Sequence, residues 1–148
     1  MNLAAIVHRP TEDFLYPLCR DTLALELITA RDDPETVELF YWPRYEQDPA
    51  KRKRMTLVSH YADAYHSYYR ASVQLEPIAA YLRYCFRFQS GQHVIWYGAS
   101  GFSEQEPSMD GNFFEFLWPN PTDCGRAPQW AEQQIFYQIF PERFCREA

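Results

Sequence analysis

Residues 81–88, YLRYCFRF, alternate apolar and mixed side chains more clearly than any other part of this 148-residue chain, and this alternation limits the fold most. The apolar positions share one face: Leu82, Tyr84, Phe86 and Phe88. A period of two is that of a β-strand with one face against a core. The turn sequence SGQ at 90–92 and the run HVIWYG at 93–98 then predict a hairpin with a second strand.

Several other segments carry the same signal. The stretches 22–30, 37–42 and 69–75 also alternate, and turns containing Gly, Pro and Asp separate them. Almost no stretch shows the period of a helix. Short alternating strands joined by turns predict an all-β protein with an antiparallel β-sandwich fold.

The charge balance excludes two classes of partner. The formal net charge is -6 and the pI is about 5.2, so long-range attraction to phosphates is absent. No stretch approaches the ~18 apolar residues of a membrane span, and the N-terminus lacks the basic and apolar regions of a secretion signal. We therefore expect neither nucleic-acid nor membrane binding, and a cytoplasmic location.

The cysteines and histidines carry no metal-binding pattern. The cysteines form no CxxC pair, and none lies at ligand spacing from a histidine: Cys19, Cys85, Cys124 and Cys145. We expect reduced thiols, with a disulfide as the alternative. The spacing of His60 and His66 does not favour a metal site, and His8 is interpreted as a structural hydrogen-bonding residue at the edge of the first strand.

The pattern changes after residue 118. Residues 119–134 are rich in Pro and polar residues, which predicts a linker with one short helical turn. The run Ile135–Phe140 is largely apolar and stops at Pro141, as expected for a strand buried on both faces. Such a strand needs neighbours on both sides. Either it pairs back onto the preceding domain, or it begins a second sheet whose other strands lie beyond residue 148, and we favour the second.

Three stretches, in this order, resemble one family. The family comprises neopullulanases, cyclomaltodextrinases and maltogenic amylases. Its motifs resemble AIVHRP at 5–10, then LRY at 82–84 together with WYGASGF at 96–102, and finally Trp130 followed by FYQIFPERF at 136–144. These enzymes belong to the α-amylase superfamily. The resemblance covers nearly the whole chain, and the closing motif is the most specific of the three.

The resemblance implies a domain plan. Residues 1–118 would form an immunoglobulin-like β-sandwich, a starch-binding carbohydrate-binding module, and residues 119–134 would form the linker. Residues 135–148 would hold the first strand of a truncated (β/α)₈ barrel, the catalytic domain. The catalytic carboxylates of that barrel lie on later strands, so the chain alone is expected to carry no catalytic residue and no activity.

The resemblance also implies a parent enzyme and its partners. The parent would be a retaining glycoside hydrolase acting on α-1,4 and α-1,6 glucosidic bonds. The implied partners are α-glucans or cyclodextrins, the chain's own catalytic domain and a second subunit in a homodimer. Residues 145–148 differ from the family's calcium-loop continuation, so we expect no cofactor or metal in this chain and place any calcium in the parent.

Two aromatic stretches are the candidate sugar-binding residues, because flat rings flanked by polar groups suit the C–H faces and hydroxyls of a glucan. The first stretch, YWPRYEQD, contributes Trp42 and Tyr45. In the family, the matching tyrosine reaches over the partner subunit's active site, whereas Gln47 replaces the family's tryptophan. The alternative is that Trp42 belongs to the core and Tyr45 only covers a loop.

The second stretch, IWYGASGF, contributes Trp96, Tyr97 and Phe102. Gly98 and Gly101 predict a turn with unusual backbone angles, which would hold the neighbouring rings. The alternative is that these rings only pack the turn.

Two functions follow from these observations. The first is an α-glucan-binding and subunit-pairing module, and the second is a purely structural or dimerisation domain without sugar binding. The basic run KRKR at 51–54 is interpreted as a solvated hairpin tip.

Overall fold

The computed structural model describes most of the sandwich region and a few later positions: residues 1–11, 13–76, 80–118, 130, 134–135 and 137–138. The described strands form two antiparallel sheets, as predicted. Two three-residue 3-10 turns are described, Leu3–Ala5 and Pro49–Lys51, and Trp130 is also helical. No helix in this part of the chain is long and apolar enough to cross a membrane.

Sheet A has the strand order β1-β2-β6-β5. Its strands are β1 Leu15–Cys19, β2 Thr22–Ala30, β5 Ser59–Ala62 and β6 His66–Gln74. Sheet B has the order β4-β3-β7-β8-β9, and β10 pairs with the first residues of β7. Its strands are β3 Thr36–Pro43, β4 Lys53–Leu57, β7 Leu82–Ser90, β8 His93–Gly98, β9 Gly101–Ser103 and β10 Phe114–Phe116.

The alternation predicted the long strands and their buried faces correctly. The inward positions of β2 and β7 are almost fully buried: Leu23, Leu25, Leu27, Leu82, Tyr84, Phe86 and Phe88. Side chains from both sheets join in one apolar cluster between them. This burial, at roughly 25 cal/mol per Å² of apolar surface, is the main force that holds the two sheets together.

His8 is a buried polar residue, and its predicted structural hydrogen-bonding role is confirmed. Its Nδ1 donates to the Glu26 carbonyl oxygen at 2.7 Å, so the neutral ring leaves Nε2 to accept from the Tyr84 hydroxyl at 2.8 Å. Burial lowers the pKa of His8 to about 4. The residue before it, Val7, bridges to Ile28 of β2, which ties the N-terminal segment to the edge of the sandwich.

A second apolar cluster covers the outer face of sheet B, which is the mixed face of the alternating strands. Trp42, Cys85, Trp96 and Met109 are buried there. Met109 belongs to the segment 104–113 between β9 and β10, which we call the cover segment. Burial raises the pKa of the Cys85 thiol to about 12, so this thiol stays protonated.

The basic run is exposed at Lys51, Lys53 and Arg54, as predicted, but it extends from the β3–β4 connection into β4 and is not confined to the hairpin tip. Lys53 and Arg54 begin strand β4, which pairs with β3, and Lys51 ends a 3-10 turn. The side chain of Arg52 is buried, because it reaches under the cover segment instead of into solvent.

The predicted linker and barrel segment lie largely outside the described residues. Between 119 and 148 only positions 130, 134–135 and 137–138 are described, so the domain boundaries stay predictions. Cys124 and Cys145 also lie outside the described residues. Of the other two cysteines, Cys19 is exposed and Cys85 is buried, and both are free thiols.

Candidate functional site

Trp42 cannot present a ring face to a sugar, which corrects its assignment as a candidate. Its relative exposure is 0%, and the Arg52 guanidinium lies 4.5 Å from its ring centroid. Arg52 in turn donates to Glu106 Oε1 at 2.9 Å and to the Pro107 carbonyl oxygen at 3.0 Å. Arg52, directly before β4, therefore holds the cover segment above Trp42, whose ring serves packing.

The assignment of Trp96 as a candidate sugar-binding residue is corrected for the same reason. Its relative exposure is 5%, and its ring lies 4.9 Å from that of Phe40 in the second apolar cluster. The alternative interpretation, that this ring packs the fold, fits its burial.

Tyr97 and Phe102 form a stacked pair at the β8–β9 edge of sheet B. Their ring centroids are 4.5 Å apart and the ring planes differ by 18°. The Tyr97 hydroxyl donates to the His8 carbonyl oxygen at 3.0 Å, and partial burial raises the pKa of this tyrosine. Phe102 remains exposed on one side, whereas Tyr97 is held inward by its hydrogen bond.

The pose of this pair depends on the turn between β8 and β9. Gly101 has a positive φ of 97°, as the sequence predicted. Gly98 is required for a different reason, since a Cβ there would lie 2.5 Å from Asn112 Oδ1. Asn112 accepts from the Ser100 amide and donates to the Gly101 carbonyl oxygen, so it clamps the turn.

Tyr45 is the predicted candidate that the structure leaves most accessible. It is 75% exposed, and its ring centroid lies 5.7 Å from that of Tyr81, which lies 6.1 Å from that of Trp118. We call Tyr45, Tyr81 and Trp118 the aromatic platform. It brings together the residues after β3, before β7 and after β10, at one end of sheet B.

The backbone holds the platform in place. Tyr81 has a positive φ of 53°, which is rare for a bulky side chain. Its carbonyl oxygen accepts from the Arg44 amide at 2.6 Å, and its own amide donates to the Leu117 carbonyl oxygen at 2.9 Å. These two bonds join the ends of β3 and β10 to the residue directly before β7.

Charged side chains lie beside the platform. Glu115 is 3.3 Å from Arg44 Nε and 3.4 Å from Arg83 Nε, and Arg83 also donates to Asp110 at 2.8 Å. These groups are partly exposed, so they present donors and acceptors next to the rings. Flat apolar faces next to such groups are what a polyhydroxylated ligand requires.

Sequence reasoning missed Tyr81 and Trp118. Tyr81 falls on the mixed face of the alternating stretch, where an aromatic residue is unusual, and this was the available signal. Trp118 directly precedes the Pro-rich segment, and no sequence signal marked it as a candidate. Their proximity follows from the pairing of β10 with β7, which local periodicity does not predict.

The described residues contain no group of three or more His, Cys, Asp or Glu side chains arranged for a metal ion. His66 lies 3.5 Å from Asp63 Oδ1, and Asp63 itself accepts from the backbone amides of Tyr65 and His66. This cluster organises the loop between β5 and β6.

Comparison with known proteins gives consistent matches. The family model described as alpha amylase, N-terminal ig-like domain, matches residues 1–120. A cyclomaltodextrinase from Geobacillus thermopakistaniensis (strain MAS1) is 35% identical over 148 residues, covering 98% of this chain and 25% of that protein. A maltogenic alpha-amylase from Bacillus acidopullulyticus is 33% identical over 144 residues, covering 95% of this chain and 24% of that protein.

A solved structure agrees with these matches. A chain described as cyclomaltodextrinase superposes with a TM-score of 0.79 at 30% sequence identity, covering 95% of this chain and 24% of that one. The chain spans about a quarter of the length of the curated relatives it matches. The two antiparallel sheets and the family match over residues 1–120 lead to one conclusion: the chain belongs to the family of alpha amylase N-terminal immunoglobulin-like domains.

Proposed function

We propose that this chain is an α-glucan-binding module of a cyclomaltodextrinase-type glycoside hydrolase, and that the aromatic platform is its sugar-binding surface. The observation that carries the proposal is an exposed group of three neighbouring rings, Tyr45, Tyr81 and Trp118. The names of the relatives, cyclomaltodextrinase and maltogenic alpha-amylase, point to α-linked glucose polymers as the ligand class.

Tyr81 combines a constrained backbone with a partly exposed ring. Tyr81 adopts a backbone conformation that costs roughly 1–2 kcal/mol for a side chain with a Cβ. Strain of this kind is concentrated at binding sites, where the surrounding structure maintains it. Two backbone hydrogen bonds hold the backbone of Tyr81 here, so a ligand that stacks on its ring would not have to order this segment.

For the whole protein, we propose an enzyme acting on α-1,4 and α-1,6 glucosidic bonds as a homodimer. Tyr45 would then reach toward the partner's catalytic domain, which its 75% exposure permits. The free thiols Cys19 and Cys85 support a cytoplasmic location. Any calcium would be held outside the described residues.

A structural or dimerisation role without sugar binding is the second candidate. The burial of Trp42 and Trp96 and the replacement of the family's tryptophan by Gln47 favour it, because all three reduce the aromatic surface for stacking. Under this alternative, the platform would instead be covered by protein.

Tryptophan fluorescence separates the two candidates. Trp118 is 55% exposed, whereas Trp42 and Trp96 are buried, so a sugar on the platform should change the emission of Trp118. We expect a saturable change with β-cyclodextrin and maltoheptaose but not with cellohexaose. Trp118→Phe should abolish the change, and Trp130→Phe should preserve it. No change with any sugar up to millimolar concentration would favour the structural role.

A further inference from the structure

A cleft of about 340 Å³ opens on the outer face of sheet A, on the opposite sheet from the aromatic platform. It is lined by Asp13, Phe14, Tyr16, Glu26, Leu27, Ile28, Tyr68 and Arg70. Ligand pockets span roughly 300–1,000 Å³, so this cleft is at the small end of that range. It has room for a small ring compound but not for a large cofactor.

A charged pair with unused bonding capacity lines the cleft. Glu26 of β2 lies opposite Arg70 of β6, and Arg70 Nε donates to Glu26 Oε1. The Tyr16 hydroxyl donates to the same oxygen at 2.8 Å. Among the described residues, neither Glu26 Oε2 nor the two terminal nitrogens of Arg70 has a hydrogen-bond partner. The pair therefore offers an acceptor and a fork of donors side by side.

Aromatic rings flank this pair. Phe14 and Tyr16 come from the start of sheet A, and Tyr68 lies across from Ile28. The Tyr68 hydroxyl donates to Asp63 Oδ2 at 2.8 Å, which fixes its ring. Hydrogen bonds from the Tyr65 amide, the Tyr68 hydroxyl and the His66 amide lower the pKa of Asp63 to about 2, so it remains an acceptor at neutral pH.

The chemistry of the lining selects among ligands. Glu26 and Arg70 neutralise each other, and Asp13 adds one negative charge to the lining, so the cleft disfavours an anion. A neutral ligand with neighbouring hydroxyls can donate to Glu26 Oε2 and accept from Arg70 while its C–H faces contact the rings. We propose that this cleft is a second sugar-binding site, and that it holds a glucosyl unit of an α-glucan.

The two sites would act on separate parts of a chain. The cleft belongs to strands β1, β2 and β6 of sheet A, whereas the platform lies at the end of sheet B. The choice of an α-glucan rests on the proposed function, although the cleft itself requires only a neutral polyhydroxyl ligand. A module with two such sites could hold two segments of one polymer, which raises avidity without new contacts.

Site-resolved NMR of the 148-residue chain tests this proposal. We expect a titration with maltotriose to give saturable amide shifts at Glu26, Ile28 and Arg70. Glu26→Gln keeps an oxygen that can accept from Tyr16 but removes the negative charge. The affinity for maltotriose, measured from these amide shifts, should therefore fall about tenfold, as for the loss of a hydrogen bond to a charged group. Arg70→Lys, which removes the donor fork, should weaken binding similarly. The matched control, the exposed Glu104→Gln, should bind like wild type.

The outcomes separate this proposal from the proposed function. Shifts confined to Tyr45, Tyr81 and Trp118 would overturn the second site and leave the platform intact. Shifts confined to the cleft would support the second site and count against the platform. If the cleft amides report the same maltotriose affinity for Glu26→Gln and Glu104→Gln, the assigned role of the charged pair is overturned.

Discussion

At the scale of single residues, Tyr81 combines two properties that rarely coincide. Its backbone lies in the left-handed region, which favours glycine or asparagine, and its ring is exposed enough to contact a ligand. A residue chosen only for stability would not be an aromatic one here. Within the chain the ring contacts Tyr45 and Trp118, and the proposed function adds a contact with a ligand.

We expect Tyr81→Asn to separate stability from binding. Asparagine tolerates the left-handed conformation, so relief of strain should offset the lost ring contacts and keep the free energy of unfolding within about 1 kcal/mol of wild type. Affinity for maltoheptaose should fall. Urea unfolding and calorimetric titration give the two quantities. A variant that is several kcal/mol less stable but binds normally would show that the ring is structural.

His8 gives a prediction about pH. Its pKa is about 4 in the folded chain and near 6.5 when unfolded, so the unfolded state binds the proton first as pH falls. Stability should therefore be lost as pH falls from about 6.5 toward 4. Between about pH 7.5 and pH 5, the wild-type free energy of unfolding should fall by roughly 2 kcal/mol more than that of His8→Gln.

The comparison with His8→Gln isolates this histidine, because every other titrating group is common to both proteins. Urea unfolding at a series of pH values measures the difference. Parallel losses of stability in the two proteins would mean that His8 does not titrate in this range.

At the scale of elements, the outer face of sheet B is organised by segments that are not strands. The cover segment brings Met109 onto Trp42 and Trp96, and Asn112 at its end clamps the β8–β9 turn. The close approach of Asn112 to Gly98 leaves no room for a side chain there.

Gly98→Ala should therefore be strongly destabilising. The new Cβ would lie 2.5 Å from Asn112 Oδ1 and 2.6 Å from its carbonyl oxygen, and backbone atoms cannot yield as a side chain can. We expect a loss of about 1–3 kcal/mol, the usual range for overpacking. Ser100→Ala, in the same turn, should change stability by less than about 0.5 kcal/mol. Similar unfolding midpoints in urea for both variants would contradict this contact.

The elements that could be predicted from sequence are those with a local signal. β2, β3, β6, β7 and β8 are long or strictly alternating, whereas β9 and β10 have three residues each, too few to establish a period. The second apolar cluster was missed for a related reason. The mixed composition of this strand face left the exposure of Trp42 open, and only the long-range packing of the cover segment buries Trp42 and Cys85.

Of the aromatic platform, only Tyr45 could be predicted from the sequence around it. Tyr45 lies in a loop after a strand that Pro43 ends, so its exposure could be inferred from its neighbours. The assignment of Trp42 and Trp96 as sugar-binding residues was wrong, because an aromatic residue on the polar side of a strand can be covered by another segment. Tyr81 and Trp118 join Tyr45 only through the pairing of β10 and β7.

At the scale of the whole molecule, the sandwich carries candidate binding surfaces on both sheets around one continuous core. The platform lies at the end of sheet B where β10 stops, directly before the residues predicted as the linker. The cleft lies on the outer face of sheet A. A sugar-binding module that precedes a catalytic domain could present the polymer from either surface.

Calorimetric titration with maltoheptaose, comparing Tyr45→Ala with Tyr65→Ala, tests the central claim most directly. The two tyrosines are almost equally exposed, at 75% and 78%, but only Tyr45 belongs to the platform. Removing a ring that stacks on the sugar should weaken binding about tenfold, whereas Tyr65→Ala should bind like wild type. Equal affinities for both variants, or no binding by wild type at millimolar sugar, would contradict the proposed glucan-binding platform.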